Sequence, residues 1–320
     1  MENIVFNSKK FLGRKQIVLD CKFNIDASNC VEKVLAIEAK PIILHQRCED
    51  GKVIFGGKLD TSFIYLSQNG QKICLVSVSE FSQVYENSEI SSSDEALLEC
   101  KVVDITTPSV KTNEVKVACI VDVSVSLVTK KEVQVCEQEN VITKSAAIEK
   151  MQVQGVVSGN FDILEEIKIQ DSVSKVLKVD AHTCLLGVTC GNGFLTLDLK
   201  VFLNTIYVDD FDAIKVNKQI VPLRQEVECT YCTQEGKASI NVVPLNYLGK
   251  AVVTQGEGFN LVKVQIPVQY SGIVLQKDVQ DVVCDAYSVT QITKLEEAEE
   301  EYISDCENVF FEAKAVWKLH

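Results

Sequence analysis

The chain has 320 residues, of which 46% are apolar, and its formal net charge is -13 at pH 7. This length and apolar content exclude a disordered chain and allow two domains, each with its own core. The basic residues are scattered rather than clustered, which argues against nucleic acid and anionic membranes as partners.

The N-terminus lacks the basic start and the long apolar core of a signal peptide, and no apolar run is long enough to span a bilayer. The 13 cysteines are an odd number and are spread over apparent strands. We therefore expect a reduced, cytoplasmic environment in which most thiols are small buried apolar groups.

A segment near the start of the chain recurs without a gap at an offset of 142 residues. Residues 31–39, VEKVLAIEA, correspond to residues 173–181, VSKVLKVDA. The same offset aligns further pairs: Leu44 with Leu186, Cys48 with Cys190, Gly51 with Gly193, Lys58 with Lys200, and Tyr65 with Tyr207. We predict two copies of one β-rich unit, a first domain at residues 1–150 and a second at 151–320 that includes trailing strands.

Alternation of apolar and polar residues with period two dominates the chain and predicts strands. The clearest run is residues 114–128, where alternate positions from Val115 to Val125 share one face. The corresponding run, residues 261–270, contains Pro267. Because proline has no backbone donor, we expect this stretch at a sheet edge or a bulge.

Dipeptides typical of hairpins separate the strands. Asp50-Gly51 and Asn192-Gly193 are equivalent and favour a type I′ turn with positive φ at both central residues. Asn69-Gly70 is a third such turn, and residues 209–212 replace it in the second copy with a more acidic, less tightly specified loop.

Helical signals are few. Residues 91–99 predict either a short helix or a polar loop before a strand. Residues 293–302 predict an acidic helix, a solvated linker or a turn into a strand. The predicted fold class is mainly β, with two tandem antiparallel domains of sandwich or barrel-like packing and little helix.

Cys229-Thr-Tyr-Cys232 is the one Cys-x-x-Cys motif of the chain. A zinc site needs two more ligands at comparable spacing, and a thioredoxin-type pair needs to open a helix. In a strand the two thiols would point to opposite faces, so we predict a structural role. For the equivalent Cys48 and Cys190 we likewise expect packing beside a turn.

The three histidines, His45, His182 and His320, are not equivalent under the repeat, so the copies share no catalytic histidine. Known nucleophile, phosphate-binding and zinc motifs are absent from the sequence. Tyr65 and Tyr207 end matched strands and are expected to anchor the sheet rim. We predict that the protein is not an enzyme and has no catalytic, cofactor-binding or metal-binding residue.

Residues 57–66, GKLDTSFIYL, resemble the Gly-x-Leu-x-x-x-x-Ile-x-Tyr signature of the SPOCS domain, found in SipL-type spore-coat assembly proteins of spore-forming Firmicutes. That family continues with a Pro-Phe pair, of which the first copy keeps Phe81 and the second Pro222. Residues 284–288, CDAYS, are similar to the Asp-Ala-Tyr-Ser that closes such domains.

The resemblance covers nearly the whole chain as two tandem copies without the LysM module of SipL-type proteins. It implies a scaffold in the mother-cell cytoplasm that associates with coat-morphogenetic proteins at the forespore surface, with contacts at strand edges or loops. Two alternatives stay open: a module that binds cell-envelope glycan, which the lack of LysM disfavours, and an enzyme using Cys229 and Cys232.

Overall fold

A computed structural model describes residues 2–135, 141–255, 258–288, 294–304 and 307–318, which form sixteen strands and two short 3₁₀ helices. His320 lies outside these residues. The predicted mainly β, antiparallel, two-domain fold is confirmed. Among the described residues, no helix is long and apolar enough to cross a bilayer.

The first half of the chain contains seven strands in two sheets: β1 (Glu2–Asn24), β2 (Val31–Glu49), β3 (Lys52–Ser67), β4 (Lys72–Glu86), β5 (Glu95–Ile105), β6 (Ser109–Val110) and β7 (Glu114–Val135). A 3₁₀ helix at Ala27–Asn29 precedes β2. Strands β2, β3 and β4 form an antiparallel sheet that we call the first meander. In the second sheet, β7 pairs with β1 on one side and with β5 and β6 on the other.

The two sheets of the first half enclose one apolar core. Strand β3 contributes every second residue from Val53 to Tyr65, except Gly57 and Thr61, and β7 contributes every second residue from Val115 to Leu127. Period two therefore places one face of each strand in the core, as the sequence pattern predicts. Burying these side chains provides the main stabilising free energy of the domain.

The second half repeats this plan with seven further strands: β8 (Val141–Ile169), β9 (Lys175–Cys190), β10 (Phe194–Val208), β11 (Ile214–Glu228), β12 (Gly236–Pro244), β13 (Lys250–Gln255) and β14 (Asn260–Ser288). Strands β9, β10 and β11 form the second meander. Strand β14 pairs with β8 on one side and with β12 and β13 on the other. A 3₁₀ helix at Asn246–Leu248 joins β12 to β13.

Two of the three register shifts between β2 and β3 recur 142 residues later. The shift at Val31/Lys33 lies at the start of β2, and the other two fall at Val34/Ala36 and at Ile43/His45. Between β9 and β10, they fall at the equivalent positions, leaving Leu177 and Leu186 unpaired as Leu35 and Leu44 are. Bulges change strand twist locally, so the offset found in the sequence also describes the backbone.

Three long antiparallel ribbons organise the chain. Strands β1 and β7 form the first, β8 and β14 the second, and β15 (Lys294–Ser304) with β16 (Glu307–Lys318) the third. In each of the first two ribbons, the chain segment between the paired strands forms a meander and the shorter strands that pair with the ribbon. The segment between β15 and β16 has two residues. Residue 150 lies within β8, and the boundary placed near it stays a prediction.

The structure decides between the alternatives left open for two segments. Residues 91–94 form a polar turn before strand β5, and the acidic stretch is strand β15 rather than a helix. The hairpin turns have positive φ at Gly51, Gly70 and Gly193 but not at the preceding residue, so type I′ is wrong. In each of these turns only the glycine adopts a positive φ, which glycine does at little cost.

Pro267 lies neither on an edge strand nor at a register shift but inside the central strand β14. Its carbonyl accepts a hydrogen bond from the Leu245 N–H at 2.8 Å, on the side where the ladder passes from β12 to β13. The backbone nitrogen of Pro267 faces the gap between β12 and β13, where neither strand pairs with β14. A central proline is tolerated because no ladder partner is lost.

The loop at residues 209–212 is more tightly specified than expected. The carboxylate of Asp209 is buried and accepts hydrogen bonds from the N–H groups of Phe211 at 3.0 Å and Ala213 at 2.8 Å. Asp212 has a positive φ of 60°. The aspartates thus close the turn in place of a glycine.

Candidate functional site

Strand β3 is buried on both faces. Its odd-numbered residues fill the core, but Asp60, Ser62 and Ile64 on the outer face of the first meander are buried too, with Asp60 only 7% exposed. A strand of a two-sheet sandwich ordinarily turns this face to water. The second half of the chain supplies the cover.

Strand β9, at the edge of the second meander, lies against the outer face of the first meander. The Lys178 Nζ is 2.7 Å from Glu38 Oε2 and donates to Ser62 Oγ at 2.9 Å. In the opposite direction, the Lys40 Nζ is 2.6 Å from Asp180 Oδ1. Two ion pairs, each between a lysine of one half and a carboxylate of the other, therefore hold edge strand β9 against the outer face of the first meander. We call this contact the joint.

Contacts at both ends of this joint extend it along β3. Lys72, at the start of β4, forms an ion pair with Asp212 in the loop after β10. At the other end, the Lys58 Nζ lies over the Tyr247 ring, 5.5 Å from its centroid. The side-chain amide of Asn246 accepts from the Ala181 N–H at 2.8 Å and donates to its carbonyl at 3.1 Å. These bonds fix the second 3₁₀ helix to β9.

The joint holds one strongly perturbed carboxyl group. Burial raises the pKa of Asp60 to about 6, against the opposing attraction of Lys178 and Lys40. Burial lowers the pKa of Lys178, but the carboxylates of Asp180, Glu38 and Asp60 outweigh it, so that this pKa lies above its ordinary value. The joint therefore keeps its lysine charged and contains an aspartate that titrates near neutral pH.

The second meander turns an equivalent outer face to solvent. Phe202 stands at the position of Asp60 and is 37% exposed, although an aromatic ring gains more from burial than a carboxylate does. Ile220, its partner on β11, is 60% exposed, and Val216 and Ile214 on the same strand are exposed too. The pair Phe202–Ile220 is apolar where the counterpart carries Asp60, although Lys200 and Lys218 lie beside it on the same face.

Residues 30–113 match the family model described as SipL, SPOCS domain. The match begins one residue before β2 and ends one residue before β7, so it contains strands β2 to β6, which lie between the two strands of the first ribbon. No curated protein and no solved structure matches the chain. The matched range contains the whole first meander.

Of the two candidate histidines, one lies at the joint next to the SPOCS match. The His182 Nε2 is 3.2 Å from Asp180 Oδ2 and 3.3 Å from the Lys40 Nζ. His45 lies at a bulge of β2, opposite Gly56. The structure does not bring the two together.

Cys229 and Cys232 lie in a turn rather than a strand, and both thiols are buried in the same apolar cluster as Cys190. The expected opposite orientation is wrong. Burial is the main reason that the pKa of Cys232 is raised, which keeps its thiol protonated. Among the described residues, no group of three His, Cys, Asp or Glu side chains could hold a metal ion.

The Cys229–Cys232 turn has an equivalent without cysteines within the residues that match the SPOCS model. The Gly193 N–H donates to the Cys232 carbonyl at 3.0 Å, as the Gly51 N–H donates to that of Ile90 at 2.8 Å. Asn87 corresponds to Cys229, and its N–H donates to the Gly51 carbonyl. The turn is thus built by backbone bonds that do not depend on thiols.

The equivalent tyrosines are buried more deeply than a rim anchor requires. Tyr65 stacks on Phe63 with ring centroids 5.3 Å apart. Tyr207 donates its hydroxyl to Asp171 at 3.0 Å. Near the other end of the meander, burial raises the pKa of Cys48 to about 11. These residues pack and position strands.

Sequence reasoning missed the residues that join the halves, above all Asp60 and Lys178. Both stand at outward positions of alternating strands, where a charged residue ordinarily indicates a solvated face. The one sequence signal for these residues is the repeat, because at the offset of 142 Asp60 aligns with an aromatic residue and Lys178 aligns with Ala36, so neither charge is kept in the other copy.

Proposed function

We propose that the protein is a non-enzymatic interaction scaffold in spore coat or spore envelope assembly, on the mother-cell side of the forespore. The observation that carries this proposal is the match of residues 30–113 to the family model described as SipL, SPOCS domain, because the match contains all the strands between β1 and β7. The equivalent bulges and turns of the second half support a second SPOCS-like copy there.

The chemistry of the joint supports binding rather than catalysis. Its charges are paired: the largely buried Lys178 with the more exposed Glu38, and the partly buried Lys40 with the buried Asp180. Buried charges that are paired in this way hold two surfaces in register. Coat-morphogenetic proteins are the proposed partners, and the exposed face of the second meander offers apolar surface for contact.

Localisation and spore structure test the proposal in a spore-forming host that carries the gene. We expect a fluorescent fusion to surround the forespore, and we expect deletion of the gene to give a misassembled coat in thin-section electron micrographs. Free fluorescent protein is the control. A fusion that stays diffuse, together with normal coats in the deletion strain, would overturn the proposal.

Complementation separates the scaffold from an enzyme that uses Cys229 and Cys232. A chain with Cys229→Ser and Cys232→Ser should restore the coat as well as the wild type, provided that its level in the cell is equal. Failure at equal level would favour thiol chemistry. Sedimentation with purified cell-wall glycan tests the other alternative, and we expect no binding.

A further inference from the structure

The carboxyl group of Asp60 is buried at the joint without a partner of its own. The residue is 7% exposed, and it takes part in no hydrogen bond and no ion pair among the described residues. Burial of an unpaired charge is costly, so this position favours the neutral, protonated form of the side chain.

Both lysines of the joint are engaged by other carboxylates. The Lys178 Nζ lies 2.7 Å from Glu38 Oε2 and 3.9 Å from Asp180 Oδ1, and the Lys40 Nζ lies 2.6 Å from the same Asp180 oxygen. The half-exposed His182 contacts the other oxygen of Asp180 at 3.2 Å. With Asp60 protonated, the two lysines balance Glu38 and Asp180. An ionised Asp60 adds a buried negative charge for which no lysine is left.

The surroundings of Asp60 make its proton affinity depend on the position of β9. The titratable and charged groups that face it come from three neighbouring strands: Glu38 and Lys40 on β2, Cys74 on β4, and Lys178 and Asp180 on β9. Burial outweighs the attraction of the lysines and raises the pKa of Asp60 from 3.8 to about 6. On a meander without its cover, the carboxyl group is in water and has its ordinary pKa.

A second contact between the halves allows the joint to open while the halves stay together. Val128 of β7 shares an apolar cluster with Met151 of β8 and with Ile273 and Leu275 of β14. These side chains do not titrate, so acid and base leave this contact unchanged. It is therefore the pivot about which β9 can move away from the first meander.

We infer that the joint is a proton-dependent switch, in which β9 is held on the first meander while Asp60 is protonated and separates from it when Asp60 ionises. Because the closed state binds the proton more tightly, low pH favours closure. Closure is strongest below pH 3.8 and weakens up to about pH 6, and the opening equilibrium constant rises about a hundredfold over this range. Opening exposes Ser62 and Ile64 together with Asp60. The inference does not depend on a role in sporulation.

Cys74 is a natural reporter of this opening. It is the partner of Ile64 in the ladder between β3 and β4 and shares the outer face with it. Lys178 of β9 faces the Cys74 thiol, and burial raises the pKa of that thiol. Cys100, by contrast, packs against the core of the first half. Its thiol becomes accessible only when the sandwich itself opens.

Labelling of the full chain with dithiodipyridine, from about pH 4 to pH 7, measures the opening. This disulfide exchanges with thiols even in mild acid, because its protonated pyridine makes a good leaving group. Dividing each rate by the rate in urea at the same pH removes the titration of the thiol itself. We expect the normalised rate at Cys74 to rise about a hundredfold up to about pH 6 and then to level off. In Asp60→Asn, which cannot ionise, it should stay at the low value of the wild type in acid.

Cys100 distinguishes opening of the joint from unfolding of the whole chain. We expect the normalised rate at pH 7 to be at least about tenfold higher at Cys74 than at Cys100, since local opening requires less free energy than global unfolding. Equal normalised rates at the two cysteines would overturn the inference. So would the same pH dependence of Cys74 in the wild type and in Asp60→Asn. Circular dichroism confirms that the variant is folded.

Discussion

Asp60 and Phe202 stand at equivalent positions of the two meanders, and the carboxylate is the more buried of the two, at 7% exposed against 37% for the ring. Burial costs more free energy for a charged group than for an aromatic side chain, so the aromatic ring would be expected to be the more buried of the two. The cause on the first meander is the cover by β9, which places Lys178 and Lys40 near the buried carboxyl group.

The buried Asp60 makes stability depend on pH. Its pKa is about 6 in the folded chain and has an ordinary value of 3.8, so the folded state binds the proton more tightly. Its contribution to stability is therefore full below pH 3.8 and is lost as the pH rises through 6. The loss is on the order of 3 kcal/mol for this shift.

Urea unfolding of wild type and Asp60→Asn at several pH values measures this contribution. The difference between the two free energies of unfolding isolates Asp60, because other groups titrate alike in both chains. We expect the free energy of unfolding of the variant to rise relative to that of the wild type between the ordinary pKa of 3.8 and the folded pKa of about 6, and to change little at higher pH. A difference independent of pH would show that the carboxyl group titrates normally.

Removing the lysine of the joint should cost far more than removing a surface lysine. Lys178→Met leaves Asp180 and Asp60 buried with Lys40 alone, and we expect a loss of about 3 kcal/mol. Lys263→Met is the control, because Lys263 and Glu166 are 2.9 Å apart but exposed. Its expected loss is below about 1 kcal/mol. Equal losses in urea unfolding would mean that the joint contributes little.

The architecture could be predicted because each strand carries its own pattern. Alternation marks the buried face of β7, and the repeat predicts that the second half is built like the first. The outer burial of Asp60 could not be predicted, because it arises from contact between the halves. Local periodicity holds no information about which outward face another domain covers.

Local errors had a similar origin. The missing backbone donor of Pro267 predicts an edge or a bulge from local sequence alone, whereas the junction between β12 and β13 is formed by chain segments distant in sequence. Cys229 and Cys232 were placed on a strand although they form a turn, and the equivalent turn at Asn87–Ile90 becomes recognisable only from shared backbone bonds.

Two glycines provide a matched test of turn geometry. Gly193 has φ of +85°, so Gly193→Ala should destabilise the chain by about 1–2 kcal/mol although no atom lies near the added methyl group. Gly187→Ala is the control, because its surroundings are equally open and its φ is not in the left-handed region. We expect it to be neutral or stabilising by about 0.5 kcal/mol. Urea unfolding distinguishes the two, and equal effects would exclude backbone strain as the cause.

The cysteines should differ in reactivity according to burial. Cys184 is exposed on β9, whereas burial raises the pKa of Cys48 and of Cys100 to about 11, and the Cys100 thiol also donates to the Pro41 carbonyl at 3.4 Å. Iodoacetamide reacts with the thiolate, and a thiol with a pKa of about 11 supplies very little of it at pH 8.

Alkylation of the native chain at pH 8, followed by peptide mass spectrometry, gives the rate at each cysteine. We expect Cys184 to react at least tenfold faster than Cys48 and Cys100, because it is exposed, whereas they are partly buried and their raised pKa leaves little thiolate. In urea the three rates should converge, since all thiols are then solvated. Fast alkylation of Cys100 in the native chain would mean that the sheet opens there, and slow alkylation of Cys184 would mean that a bound partner covers β9.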